Sequence, residues 1–416
     1  AVRQAPVEYA AGEELCNPYQ KNTEGREARE REMKFKAFLT HDGVNLLDKR
    51  FLPALDKVGR VCHVYLTRDH AMFLHNLLNG DGVQCVAQFG RDLLFRDYRI
   101  SSQNDDRIAF SLDLALLHRA LRSALSILHS QGGGGHGGGG SSPLQIQIKL
   151  LKKIPAGSQQ PTPFLSFETK VVPSPPLPLR VSTLGSWQNP EIPRVFFSCR
   201  HFVERVLAHP SISSMRRGRD FDTHLGVFQG YKSAVIHDVP ISKPLSRADV
   251  VELQSALDMA QQLPQTLVQV PDLAQLQNLV DRLKNVGDIL SVSITRYGDL
   301  HLQVSTGLVT VGSEFRRLRV LGDRAEAPPD DQNLSAASRT RLAIEREEAQ
   351  SVEVSMRHLA KSLQCHSTKP DCAFYGIAPQ GACLTVIFQF FIPGTRQMDK
   401  SISLHCRLPV LDTGSA

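Results

Sequence analysis

An α+β fold in two tandem domains is what this 416-residue sequence predicts. Three observations predict it. One order of elements is written twice, from Met33 to about Val172 and from about Gln265 to Leu411, and so long a period means paired domains rather than a short-repeat array. Each copy opens with a short alternating strand, enters an amphipathic helix, crosses several alternating strands, enters a second amphipathic helix and ends in strands. No nucleophile or phosphate loop interrupts the pattern, so a surface that surrounds a partner is sought before a catalytic centre.

The first copy starts with Met33 to Thr40, where Phe35, Ala37 and Leu39 alternate with Lys34, Lys36 and Phe38. Asn45 is positioned to cap a helix with the stripe Leu46, Leu47, Phe51, Leu55 and Val58, which Pro53 should bend or delay. Strands are expected at Cys62 to Thr67, Ala71 to Leu77, Gly82 to Phe89, Leu93 to Ile100 and Arg107 to Leu112, with a turn at Asn79-Gly80-Asp81-Gly82. Leu114, Leu117, Leu121, Leu125 and Leu128 then form the clearest helical stripe in the chain. A glycine run follows, flexible by composition, before strands at Leu144 to Lys152 and Phe164 to Val172.

A proline-rich stretch opens a segment without convincing period up to Lys232, apart from a short helix around Phe202 to Leu207. A strand at Ala234 to Lys243 precedes a connector at Pro244 to Pro264, helical at Asp249 to Leu257. In the second copy Pro271 suits the first turn of a helix with Leu273, Leu276, Leu279, Val280, Leu283 and Val286 inward, ending near Gly287. Strands follow at Ile289 to Arg296, Leu300 to Ser305 and Leu308 to Phe315, with Tyr297-Gly298-Asp299 turning the first pair. Ser351 to Val354 reads as a strand, Met356 to Leu363 as the last helix, and Ala373 to Ile377, Cys383 to Phe391 and Ser401 to Leu408 as closing strands.

The expected boundaries are a disordered extension at 1–32 with Met33 as the start, and an N-terminal domain at 33–172 carrying a glycine-rich loop at 131–142. A disordered insertion at 173–233 and a strand with interdomain connector at 234–264 follow. The C-terminal domain occupies 265–411 and contains a disordered loop at 324–349.

A hydrophobic fraction of 41% suits globular domains, and no run approaches the roughly 18 apolar residues of a membrane span. The net charge of +6 is not spread evenly: Pro173 to Lys232 holds eight Lys and Arg against four acids, leaving the two domains close to neutral. Eight scattered cysteines form no disulfide framework and suit a reducing compartment. Cys365-His366 with Cys372 lacks the paired spacing of a closed zinc site, so no metal and no cofactor is expected.

Each of the four helices carries cations on its outward side: Lys49, Arg50 and Lys57; Arg119 and Arg122; Arg282 and Lys284; Arg357 and Lys361. Brought onto one face, they make a shallow basic surface that contacts phosphates and reads no bases. No catalytic residue is assigned, because Asp105, Asp106 and Asp299 lie in turn-like settings and the fifteen histidines are scattered. The strands holding Val235, Ile236, Val239 and Ile241, and Val309 and Val311, are apolar enough to become exposed sheet edges unless another chain pairs with them.

Met33-Lys34-Phe35-Lys36-Ala37, the strand from Ala234 to Ile241 and the run from Val268 to Leu318 resemble the Hus subunit of the heterotrimeric DNA-damage checkpoint clamp, the nine-one-one complex. The resemblance spans Met33 to Val172 and Ala234 to Leu411 and rests on diffuse motifs in a consistent order. It implies a PCNA-like sliding-clamp fold, helices lining a ring and sheets outside. It further implies two other clamp subunits as partners, duplex DNA held without sequence preference, an ATP-dependent clamp loader, docking repair and checkpoint proteins, and a nuclear location without enzymatic activity. A homotrimeric replication clamp and a hydrolase with an unrecognised site are the alternatives. Pro53, the glycine run and the 173–232 segment depart from the family pattern.

Overall fold

The computed structural model describes residues 33–78, 82–132, 144–155, 159–171, 236–326 and 334–411. The extension 1–32, most of the glycine-rich loop, the insertion at 173–233 and the side chain of Leu128 lie outside the described residues.

In the first half, β1 (Lys34–Leu39) leads through α1 (His41–Leu46), a π-helical turn (Leu47–Phe51) and α2 (Leu52–Val58) into β2 (Val61–Leu66), β3 (His70–His75) and β4 (Gln84–Gly90). A short α3 (Arg91–Leu94) precedes β5 (Phe95–Ser101) and β6 (Ile108–Asp113); α4 (Leu114–Gly132) precedes β7 (Leu144–Lys153), β8 (Thr162–Val171) and β9 (Ile236–Pro240). The connector is α5 (Arg247–Ala260). The second half runs β10 (Thr266–Gln269), α6 (Leu273–Leu283), β11 (Ile289–Thr295), β12 (Leu300–Ser305), β13 (Thr310–Phe315), β14 (Val320–Gly322) and α7 (Ala336–Glu345). It closes with β15 (Ala349–Ser355), α8 (Met356–Leu363), a 3-10 turn (Gln364–Thr368), β16 (Cys372–Ile377), β17 (Cys383–Gln389) and β18 (Ile402–Pro409).

The duplication is visible in the sheets. The first half orders its strands β5-β1-β7-β8-β9 and β4-β3-β2-β6, and the second orders the corresponding strands β14-β10-β16-β17-β18 and β13-β12-β11-β15. The halves then merge, because β18 pairs antiparallel with β4 in register Ile402↔Phe89 through Arg407↔Gln84 and makes one nine-stranded sheet. Their counterparts, β9 and β13, end their sheets with one side unpaired among the described residues.

One apolar core runs under both halves, including Phe51, Phe89 and Phe390, whose rings lie 4.7 Å and 5.5 Å apart around Phe51. A second core covers the other face of the first half: Val250, Leu253, Leu257 and Ala260 of α5 pack on Tyr65, Met72, Leu74 and Val86. The Tyr65 hydroxyl donates to Gln254 Oε1 at 2.7 Å, fixing the connector helix to β2.

Local chemistry accounts for the differences from the sequence reading. Thr40, not Asn45, caps α1, its Oγ1 accepting from Gly43 N at 2.8 Å. Pro53 neither bends nor delays a single helix; its missing N–H is absorbed by the π-helical turn, where Leu52 N bonds back to the Leu47 carbonyl. Pro271 stands before Asp272, which caps α6 through Ala274 N at 3.0 Å. The hairpin at Tyr297-Gly298-Asp299 needs its glycine, for Gly298 has φ +99° and a Cβ there would lie 2.4 Å from the Leu318 carbonyl oxygen.

Of the expected disordered loop at 324–349, residues 327–333 lie outside the described residues and the stretch Ala336–Glu345 is corrected by α7. Ser335 caps it, receiving Ser338 N at 3.2 Å, Ala343 is buried against β15 and β11, and Arg339 forms an ion pair with Glu314 of β13. The helix escaped notice because Ala343 is its single buried residue, so no apolar stripe marks it.

Candidate nucleic-acid interface and open sheet edges

The helices that carry the candidate cations form one row across the chain. Leu114, Leu117, Leu121 and Ala124 bury one side of α4, and Asp113 Oδ1 accepts from Ala115 N and Leu116 N to start it. The helix packs on the π turn and α2; α2 packs on the 3-10 turn and on α8; α8 packs on α6. Met356, Leu359 and Leu363 hold α8 inward, leaving Arg357 and Lys361 on its outer side at i and i+4.

Lys49, Lys57, Arg119, Arg122, Arg282, Lys284, Arg357 and Lys361 are all exposed. The row is unevenly charged. Neither α4 nor α8 contains an acid, whereas Asp42, Asp48 and Asp56 offset the cations from α1 to α2, and Asp281 stands beside Arg282. Arg122 Nε also lies 3.8 Å from Asp48 Oδ1, and His118 Nε2 is 3.0 Å from the same oxygen. Asp48 and His118 therefore latch α4 to the π turn, a contact for which the sequence held no local signal. His358, between Arg357 and Lys361, is held below the ordinary histidine range by burial and then by those two cations.

Arg50 is corrected. Its Nε donates to the Thr368 carbonyl at 2.7 Å and its Nη2 to the Lys369 carbonyl at 3.1 Å, with the guanidinium 5.5 Å from the centre of the Phe390 ring. The left-handed Lys369, φ 54°, presents those carbonyls. Arg50 thus ties the first half to the second, and partial burial lowers its pKa below the ordinary arginine value.

The candidate edge residues divide as well. Val235 lies outside the described residues. Ile236 is 37% exposed on β9, whereas Val239 and Ile241 point into the core and hold the strand to the first half. At β13, Val311 is 37% and Val309 51% exposed, next to Leu308 at 96%. Asp299 serves its turn, Oδ1 accepting from Arg317 N at 2.9 Å, and burial raises its pKa.

A family model described as Hus1-like protein matches residues 33–396. The chain belongs to the Hus1-like protein family. The resemblance read from its opening strand, its Ala234 to Ile241 strand and its Val268 to Leu318 run is to this family, which brings with it the α+β clamp fold. The checkpoint protein hus1 homolog of Dictyostelium discoideum is 33% identical to the Hus1-like chain over 94 residues, 23% of this chain. The match spans 34% of that relative's length. Among solved structures, proliferating cellular nuclear antigen from Entamoeba histolytica aligns at 7% identity with a TM-score of 0.46, covering 91% of this chain and 98% of that one. Among the described residues, no helix is long and apolar enough to cross a membrane.

Proposed function

We propose that this Hus1-like chain is a non-catalytic subunit of a heterotrimeric DNA-damage checkpoint clamp that encircles duplex DNA in the nucleus. One observation carries the reading: β4 and β18 close a junction inside the chain, while the equivalent strands β13 and β9 are left open among the described residues. Repeating the internal junction between chains, β9 of one against β13 of the next, extends the arc until it closes. The row of cationic helices then faces the enclosed space and contacts phosphates of any sequence. An ATP-dependent loader would open one such junction, and repair and checkpoint proteins would dock on the finished ring. Membership of a family of scaffolds replaces the hydrolase reading.

The test mixes the chain with the two other clamp-type subunits and measures mass in solution, then retention on circular and linear DNA. A one-to-one-to-one ring held on closed circles at salt that strips it from linear DNA supports the proposal; a ring of this chain alone supports a homotrimeric clamp. Arg119→Ala with Arg122→Ala should leave folding within about 0.5 kcal/mol, since both positions are exposed. On linear DNA the pair should reduce the slope of log affinity against log salt by about 1.8. Unchanged salt dependence would remove α4 from the interface.

A further inference from the structure

The eight cysteines scattered through the sequence are not all scattered in space. Cys85 on β4, Cys406 on β18 and Cys365 in the 3-10 turn after α8 are each completely buried, with all three sulfurs within 4.8 Å of one another. Cys365 and Cys406 are 3.8 Å apart at sulfur. We propose that these three thiols form a thiolate site for a soft d10 cation of the zinc(II) or copper(I) class, at the junction of the two halves.

Geometry supports the assignment. Metal–sulfur bonds of about 2.3 Å place neighbouring sulfurs roughly 3.8 to 4.0 Å apart in tetrahedral or trigonal coordination, which is the spacing already present between Cys365 and Cys406. Three thiolates without carboxylates favour thiophilic ions over magnesium or calcium. The sheet register gives a second, independent observation. Across five strands the row Tyr375, Val386, Cys406, Cys85, His75 shares one face. Both ends of that row carry buried polar atoms without a partner, the Tyr375 hydroxyl and His75 Nε2, with the residues 0% and 1% exposed. Orphaned polar atoms in a dry core are costly, and a charged metal–thiolate centre beside them offers an electrostatic partner.

Binding releases up to three thiol protons to solvent and transfers no electrons. With no channel to the surface required after folding, the ion is acquired as the halves close, so it links β4, β18 and the turn after α8. Cys365-His366-Cys372, the spacing visible in the sequence, is not the site: Cys372 is half-buried on β16 and its sulfur lies 3.6 Å from Gln389 Oε1.

The full chain, purified under reducing conditions, is analysed for zinc and copper by plasma mass spectrometry, then unfolded with chelator, freed of metal and refolded with cobalt(II). The expected result is about one equivalent of one of the two metals per chain, and a sulfur-to-cobalt charge-transfer absorption after loading. Cys406→Ser and Cys365→Ala each lower bound metal at least about tenfold, whereas Cys372→Ala retains it. Should the first two variants fail to fold, the wild-type metal content, cobalt spectrum and loss of melting temperature on chelation still decide. Less than about a tenth of an equivalent in the purified chain with no charge-transfer band after loading overturns the proposal, as does equal metal loss in Cys372→Ala.

Discussion

The β4 and β18 junction and the edges at β9 and β13, open among the described residues, are built from equivalent strands of the two halves, but they differ in what they bury. At the junction, Cys85 pairs with Cys406, Ala87 with Leu404 and Phe89 with Ile402, and all but the half-buried Ile402 are buried. At the edges, Leu308, Val309, Val311 and Ile236 remain exposed. Each paired residue adds backbone bonds and apolar burial, so the junction contributes stability that the edges, unpaired among the described residues, do not. In the proposed ring, the exposed apolar groups of these strands would meet the neighbouring subunit.

Breaking the closed junction should have the largest effect. Leu404→Ala removes a side chain that is 1% exposed and should lower unfolding free energy by about 2–5 kcal/mol in urea titration. A loss below about 1 kcal/mol would mean that the junction adds little to the fold. Val311→Asp on β13 should do the reverse. The isolated chain should keep its stability within about 0.5 kcal/mol, while association with the neighbouring subunit, followed by sizing and calorimetry, weakens by about 2–4 kcal/mol. Intact association would move the interface away from β13.

Arg50→Ala sharpens the comparison at smaller magnitude. It removes two hydrogen bonds to backbone carbonyls across the halves and a contact with Phe390, an expected loss of about 1–3 kcal/mol in stability. DNA retention of the surviving folded fraction should stay unchanged. Weaker DNA binding without loss of stability would return Arg50 to the basic surface.

How much of this was legible depended on whether a feature is local. Met356 to Leu363 and Leu300 to Ser305 were readable because a helical stripe and a strict alternation lie within a few residues. The edge strands were readable for the same reason, and Ile236 and Val311 are where apolar side chains stay exposed. The role of Arg50 was not, since its acceptors are 318 and 319 residues away. The thiol cluster was hidden likewise: Cys85 meets Cys406 only through the register of β4 on β18. Pro53 announced a disturbance without saying that a π-helical turn would absorb it, and α7 has too small an apolar face to announce itself.

The smallest expected effect concerns pH at an open edge. His237 of β9 lies opposite Phe167 of β8, and its Nε2 is buried without a partner. Burial lowers its pKa below 6.5, with neighbouring Asp238 opposing the shift, so the docked strand favours the neutral ring. The sign follows from linkage: a detached β9 binds a proton more readily than a docked one, so docking is fully favourable above pH 6.5 and weakens as pH falls below it. Lys153 limits the effect by holding Asp238 at 2.5 Å, a pairing that persists while the carboxylate is charged. Amide exchange measured at about pH 7.5 and again at about pH 5.5, corrected for intrinsic rates, should show β9 losing protection while β16, which carries no histidine, does not. His237→Gln should flatten that difference, because the amide does not titrate in this range. If β16 loosens in step with β9, the pH effect is global and His237 does not set the stability of the edge.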